Sequence, residues 1–538
     1  MNAGDTAWVL VSTGLVMIML PGLAMFYGGL VSSRSVLVML QQNIFPLGLV
    51  SILWVLAGFS LAFGPDAGGG VIGNLAAFGL RNLSQGAAGM HAVVPGLAVP
   101  ELAFVAYMMM FAVITPALIT GATADRLKFS GYAVVIGLWS LLVYAPVAHW
   151  LFSPSGWLAR RGAQDWAGGL VVHGSAGAAV LALLLVVGRR RGWPKTAPRP
   201  HSIPLVVLGA GLLWFGWFGF NGADGLRADD VAAQALINTQ VAAAAAMLAW
   251  LVTERLTDGH ATVLGAVTGA VAGLAAITPC AGYVDTYAAI VIGGLAGLVC
   301  HRALRLKQFL RIDDALDVIP VHFIGGIFGT FLLGFFADKN INPIGTNGVF
   351  YGGGGRLLGE QALAIVAVVA FSFGVTWIIA AAVARTIGLR VPAEDENDLD
   401  LAQEALSAYA FGRQDGGLQS VNHDAVRPRT PPVDEEMKLI SALVDYKDLD
   451  ELRDAIVGAG AVQIVISEAS LYTSAPHTEV FRGQRRNVAF DPRLRLEVTV
   501  QKADVPRVVQ AIRQVAGVGA YPQVFEASLA PAVGDSLT

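Results

Sequence analysis

The chain has 538 residues, of which 55% are hydrophobic and 14% charged, with a formal net charge of −4 and a mean hydropathy of +0.61. Soluble domains carry about 25% charged residues. The composition therefore excludes a wholly soluble globular protein and is that of a polytopic membrane protein with a soluble part. Charge concentrates after Arg390, so the net value averages two unlike parts and says little about partners; no nucleic-acid partner is expected. The only two cysteines, Cys280 and Cys300, lie in or beside apolar segments and suggest neither a disulfide framework nor a metal cluster.

Windows of about 20 apolar residues predict eleven spans, at 7–30, 36–64, 101–124, 130–152, 168–188, 203–222, 231–253, 261–279, 286–300, 317–337 and 359–388. The ninth is short and open to extension. The first begins behind Asp5 with no basic stretch before it, and is read as a retained span rather than a cleaved leader. One set of connections carries Arg34, Arg126, Lys128, Arg189, Arg190, Arg191, Lys195, Arg199, Arg255, Arg302, Arg305, Lys307, Arg311, Arg385 and Arg390. The other has only Arg81, Arg160, Arg161, Arg227, Lys339 and Arg356. The richer side is cytoplasmic by the positive-inside rule. The expectation is a multi-pass plasma-membrane protein among lipids, with its N-terminus outside and its C-terminus inside.

Two spans are built alike. Residues 165–177 read DWAGGLVVHGSAG and residues 317–329 read DVIPVHFIGGIFG. Each begins with an Asp, centres on a His (His173, His322) and continues through small residues. They are spans five and ten, so they run in opposite senses, which is the trace of an inverted repeat with a site at the repeat interface. An ionisable residue inside the membrane points to function. Neutral imidazoles donate through one nitrogen and accept through the other, so a pair can share one proton along a narrow passage. The alternatives are interhelical hydrogen bonds that serve packing alone, or metal binding, for which no Cys, Glu or third His stands at matching depth. Aromatics cluster near the outer ends: Tyr107 and Phe111 on span three, and Trp214, Phe215, Trp217, Phe218 and Phe220 before Asn221 on span six. They suit either an interfacial belt or a cation–π vestibule for a small ammonium-like cation.

Residues 389–432 read as a charged linker ending in RPRTPP, which cannot sustain a helix. From Met437 the pattern becomes strand (437–445), helix (448–459), strand (462–471), long loop, strand (494–500), helix (505–515) and a last short strand (524–527). That order is βαββαβ, an α/β ferredoxin-like domain. The expected organisation is a membrane domain over 1–388, a tail and linker over 389–432, and a regulatory domain over 433–530.

On these residues the chain resembles the Amt/Mep/Rh ammonium transporter family over nearly all of residues 1–410. The matching motifs are MLPGLAMFYGGLVSSRSVL (19–37), FAVITPALITGATADR (111–126), DWAGGLVVH, WFGFN (217–221), ITPCAGYV (277–284) and DVIPVHFIGGIFG. The resemblance implies an all-α eleven-helix bundle with an inverted 5+5 repeat, assembled as a homotrimer with one pore per subunit. It implies that His173 and His322 are the twin pore histidines, that Phe111 and Phe220 are the gate, and that Trp217 belongs to the pore wall. Substrate recruitment falls to Asp165, Tyr107 and two departures: Phe152 where the family has Trp, and Asp224 where it has Ser. The implied function is passage of ammonium and ammonia, with deprotonation at the entrance and a histidine proton relay, and no enzymatic activity.

The C-terminal part resembles PII signalling proteins, the trimeric nitrogen regulators that plug such pores from the cytoplasm. MKLISALVDYKDLDELRDAI (437–456), HTEVFRG (477–483) and FDPRLRLEV (490–498) carry this likeness. It departs at Ser474, at Arg486 and in a shrunken glycine loop at Gly517–Ala520. Arg493 and Arg495 stand where family lysines stand and are the candidates to meet phosphate; ATP, ADP and 2-oxoglutarate binding is expected to be altered or absent. The resemblance implies contact of this domain with the cytoplasmic pore face. The tail keeps Asp400 and Tyr409 but has Glu404-Ala405-Leu406 for the usual His-Gly-Glu. The leading expectation is a transporter regulated by its fused domain. The alternative is an ammonium sensor with little flux.

Overall fold

The computed structural model describes residues 2–81, 83, 97, 99–194, 200–409, 437–444, 449–481, 484–516 and 523–526. It divides into two compact units, Met1–Gly412 and Arg413–Thr538.

The first unit is helical. Its long helices are α1 (Ala3–Leu30), α2 (Val36–Phe63), α3 (Glu101–Thr123), α5 (Gly169–Val187), α6 (Ile203–Gly222), α7 (Asp230–Asp258), α9 (Thr286–Phe309), α10 (Ile319–Phe336) and α11 (Arg356–Thr386). Helix α4 joins Phe129–Trp139, a π turn at Ser140–Tyr144, and Ala145–Phe152. A shorter apolar helix, α8 (Val263–Ile277), completes the set. Among the described residues, ten helical segments are long and apolar enough to cross a membrane, and the chain is a multi-pass membrane protein. Leu185, Leu248 and Val366 point outward from their helices, as lipid-facing residues do.

The helices start and stop where local chemistry directs. Asn2 caps α1 by accepting from Gly4 N–H at 2.8 Å, Asp229 caps α7 through Ala232 N–H at 3.0 Å, and Thr262 caps α8 through Gly265 N–H at 2.9 Å. Gly259, left-handed at φ 85°, ends α7. Helix α9 runs to Phe309, past the expected limit at residue 300. Its last turns hold Arg302, Arg305 and Lys307, good helix formers whose apolar stems tolerate the membrane boundary.

At the end of α3, the fully buried Arg126 donates to the carbonyls of Ala122, Ala124, Gly188 and Asp313. Arg190 closes the same corner, 2.7 Å from Asp313 and 3.0 Å from Asp125. The segment after α11 folds back onto this unit. Lys128 N–H donates to Leu389 O, and Val391 N–H to Arg126 O. In the short helix α12 (Leu399–Glu404), Asp400 accepts from the amides of Leu37 and Val38, both at 3.0 Å. Tyr409 reaches His201 at 2.7 Å. The first part of the expected linker is thus packed structure; residues 410–436 lie outside the described residues.

The second unit has β1 (Met437–Val444), α13 (Leu449–Gly458), β2 (Ala461–Phe481), β3 (Gln484–Gln501), α14 (Val505–Ala516) and β4 (Gln523–Glu526). Its antiparallel sheet has the order β2-β3-β1-β4. Alternate residues Ile440, Ala442 and Val444 of β1 and Leu494, Leu496, Val498 and Val500 of β3 face Leu452, Ile456, Val508 and Ile512 of the two helices. Residues 472–481 and 484–493 of the expected loop are instead extended hairpin arms, with an irregularity between Tyr472 and His477.

Candidate functional site

Both histidines sit in π turns, His173 in Gly169–Gly174 at the start of α5 and His322 in Ile319–Phe323 at the start of α10. Such turns are rare in helices and recur at functional sites. Each is set up by a carboxylate eight residues before its histidine. Asp165 Oδ1 accepts from the amides of Gly168 (3.2 Å) and Gly169 (2.5 Å), and its Oδ2 from Leu170 (2.8 Å) and Val171 (3.0 Å). Asp314 accepts from Val318 (3.1 Å) and Ile319 (2.7 Å). These carboxylates satisfy amides that a helix start leaves open. The sequence comparison pairs Asp165 with Asp317, but the structural counterpart is Asp314. Asp317 takes a left-handed backbone at φ 65° and pairs with Lys307.

The two turns meet through glycines placed four residues after each histidine. A Cβ on Gly177 would lie 2.3 Å from Phe323 Cβ, and one on Gly326 would lie 2.7 Å from His173 Cβ and 2.5 Å from Gly169 O. This close approach brings His173 Nδ1 to 3.3 Å from His322 Nδ1, with ring centroids 5.2 Å apart and nearly parallel. Both imidazoles are buried, at 1% and 3% exposure. Trp217 stacks on His173 at 5.5 Å and is oriented by donation from Nε1 to Thr278 Oγ1 at 2.9 Å. Phe220 lies beside both Trp217 (5.7 Å) and His173 (6.5 Å), and stacks on Phe111 with centroids 4.1 Å apart and planes 10° from parallel. Tyr107 stands edge-on to Phe111 at 5.0 Å and donates its hydroxyl to Phe220 O at 2.7 Å. A narrow cavity beside the histidines is lined by Met19, Leu23, Ile114, Leu118, Val172, Leu213, Trp217 and Phe220. Among the described residues, the buried His173 Nε2 has no hydrogen-bond partner.

The sequence pattern of the Ammonium Transporter Family matches residues 7–409. The chain belongs to that family. It is 46% identical over 442 residues to a protein named ammonium transporter from Mycobacterium tuberculosis (strain ATCC 25618 / H37Rv), covering 78% of this chain and 92% of the relative. The crystal structure of Saccharomyces cerevisiae Mep2 superposes with a TM-score of 0.67 at 33% identity, over 73% of this chain and 91% of that one. A structure titled Sensor Amt Protein superposes with a TM-score of 0.67 at 29% identity, over 74% of this chain and 98% of the other.

Within this member of the Ammonium Transporter Family, five of the residues singled out from the sequence form one contiguous ring cluster: Phe111 stacked on Phe220, Phe220 against both Trp217 and His173, and His173 stacked on Trp217 and His322, with Tyr107 at its edge. Phe152 ends α4 half-buried against the core, and among the described residues no ring contact joins it to that stack. Both oxygens of Asp165 are taken by amides. Asp224 lies just past the end of α6, half-buried, and its Oδ1 is buried without a donor. In the second unit Arg495 is exposed and pairs with Glu497 at 2.7 Å. The Arg493 side chain and Gly517–Ala520 lie outside what is described.

Asp314, Thr278, Gly177 and Gly326 were not singled out from the sequence as site residues. For Asp314 and the glycines the usable signal was spacing: Asp314 stands eight residues before His322 as Asp165 does before His173, and Gly177 and Gly326 each follow a histidine by four.

Proposed function

We propose that this chain conducts ammonium across the plasma membrane, losing the proton at the outer mouth, passing ammonia through the apolar channel and relaying the proton along the histidine pair. The observation that carries this reading is the buried Nδ1-to-Nδ1 contact of His173 and His322 behind the Phe111–Phe220 stack. Moving an ion of ammonium size into a dry, low-dielectric passage costs on the order of 20 kcal/mol in the idealised limit. Shedding the proton removes most of that cost. Sodium and potassium cannot neutralise themselves in this way and are rejected. Burial keeps both imidazoles neutral in the resting channel. One Nδ1–H then donates to the other Nδ1, leaving one outer nitrogen as acceptor and the other as donor. A proton taken up at one end and released at the other resets the pair.

In this reading Phe111 and Phe220 gate the channel, Trp217 forms its wall, and Tyr107, Phe152, Asp165 and Asp224 shape recruitment. Asp165 acts by holding the His173 turn. The Asp–π turn–His units at the starts of α5 and α10 support an inverted 5+5 repeat, and the Lys and Arg bias of the connections supports an N-terminus outside and a C-terminus in the cytoplasm. The assembly is a homotrimer surrounded by lipid.

The order β2-β3-β1-β4 with both helices on one face supports a ferredoxin-like, PII-like regulatory domain. Its reading is a regulator that meets the cytoplasmic pore face. The departures at Ser474 and in the glycine loop at Gly517–Ala520 support altered or absent nucleotide binding. The chain is not an enzyme in this account.

The test is the ammonium-evoked current of the full-length protein in liposomes. A saturable current, absent with sodium or potassium and lost in His173→Ala, supports transport. Ammonium binding without current moves the assignment to a sensor. The relatives named ammonium transporter, more identical to this chain than the Sensor Amt Protein, weigh for transport.

A further inference from the structure

Past the last turn of α6, Leu226 N–H donates to Ala223 O at 2.8 Å and closes a tight turn. The turn is pinned at the outer end of the aromatic stack. Trp166 Nε1 donates to Asn221 O at 2.7 Å, and the Trp166 ring lies against Gly225. Asp224 occupies the middle of this turn, four residues after Phe220. Its Oδ1 is buried and receives no hydrogen bond. The neighbouring Asn221, fully buried, also has an unpartnered Oδ1.

The groups within electrostatic reach of Asp224 come from four places: Tyr107 on α3, Tyr144 on α4, Tyr283 after α8, and Asp165 before α5. None is a cation, and the Asp165 oxygens are already taken by amides. Buried polar atoms are nearly always paired, so an acceptor on Asp224 left unpaired among the described residues, with a second on Asn221 three residues before it, calls for a ligand that only donates. Ammonium has four N–H donors, a positive charge and no acceptor.

We propose that Asp224 is the base that takes the proton from ammonium at the channel mouth. This rests on the transport reading above. In the step, one N–H bond of ammonium breaks and its electron pair stays on nitrogen as the lone pair of ammonia. The proton forms an O–H bond on the carboxylate, giving ammonia and a neutral carboxylic acid. Ammonia passes Phe111 and Phe220. The proton then passes to the imidazole pair, which restores the carboxylate and carries one charge inward with each ammonia. Burial, with the Asp165 charge beside it, holds the Asp224 carboxyl well above the usual carboxylate range. That narrows the gap in proton affinity to ammonia, as general-base chemistry requires. A serine at this place would offer a hydroxyl and no such base.

The experiment compares full-length protein, Asp224→Asn and Asp224→Glu in proteoliposomes, recording ammonium-evoked current against concentration and external pH. Asp224→Asn is expected to lower the maximal current about a hundredfold. The unsubstituted protein is expected to lose current as external pH falls through the raised carboxyl value, because the protonated acid accepts nothing. Asp224→Asn should lose that dependence, and Asp224→Glu should restore both current and pH profile. Equal elution and thermal midpoint of the three proteins exclude misfolding, and the Glu variant decides the matter if Asn is unstable. An Asn variant with unchanged maximal current and only a higher half-saturation concentration overturns the base role. So does an unchanged pH profile. An unsubstituted protein without current overturns the transport reading itself, a different result from an Asn variant that conducts normally.

Discussion

His173 and His322 meet through like nitrogens, Nδ1 to Nδ1 at 3.3 Å, with rings nearly parallel. Only one hydrogen fits between them, so each imidazole sets the tautomer of the other. Replacing either with alanine removes the shared proton and opens the cavity. His173→Ala and His322→Ala are each expected to lower the ammonium-evoked current about a hundredfold. Because the two act as one unit, the double variant should lose little more than either single one. Additive losses, read in the same proteoliposome assay, would show two independent groups.

The carboxylates that shape the two turns make a second test. Asp165 satisfies four amides and Asp314 two, all within a buried region. Charge-assisted hydrogen bonds contribute about 1.5–3 kcal/mol, and orphaning buried donors adds cost. Asp165→Ala is expected to destabilise the protein by about 3 kcal/mol and Asp314→Ala by about 2 kcal/mol. Asp165→Asn, which keeps one acceptor oxygen, should cost less. Thermal unfolding in detergent checks the order. An Asp317→Ala variant as damaging as Asp314→Ala would contradict the assignment of Asp314 as the matching cap.

That pair also marks how far the sequence could be read. Hydropathy places Ile203–Gly222 to the residue and most other spans within a few residues, α7 and α9 running longer, because transfer of apolar side chains into lipid is a local property summed along the chain. The histidines were legible for the same reason, since polar residues in apolar runs are conspicuous, whereas Phe111 and Phe220 were singled out as a pair only through the family resemblance. The π turns were not. Their hydrogen-bond register is set by a carboxylate outside the helix and by packing against the facing turn, and neither lies in a local window. Asp317 opens a segment that reads like the one Asp165 opens, yet it stands three residues too late to cap the turn. The hairpin of β2 and β3 was missed because 472–493 is rich in charge and turn formers, and its strand pairing is specified by cross-strand partners.

The crossing of the two turns predicts a steric effect. Gly326 and Gly177 admit no side chain without displacing Gly169 and His173 or Phe323. Gly326→Val is expected to cost about 1–3 kcal/mol through overpacking and to reduce current by separating the imidazoles. Gly374 on α11 has nothing within 4 Å of an added Cβ. Gly374→Ala should therefore be neutral or stabilising by about 0.5–1 kcal/mol. Equal melting of the two variants would remove the argument that close approach at Gly326 holds the histidines together.

The two units have separate cores, one spanning the helices and one formed by Ile440, Leu452, Ile456, Val498, Val508 and Ile512 with their neighbours. The tail contacts of Asp400 and Tyr409 lie before Gly412 and belong to the first unit. A chain ended after Gly412 is therefore expected to keep the thermal midpoint of the membrane unit. If the C-terminal unit restrains the pore, the shortened protein should carry a larger ammonium current at every concentration, with an unchanged half-saturation point. The comparison needs equal protein density, measured by quantitative staining of the liposomes. Identical currents across cytoplasmic conditions, including added ATP, ADP and 2-oxoglutarate, would remove the regulatory reading while leaving the channel intact. A loss of current together with a lowered midpoint would instead mean that the membrane unit depends on the C-terminal unit for its fold.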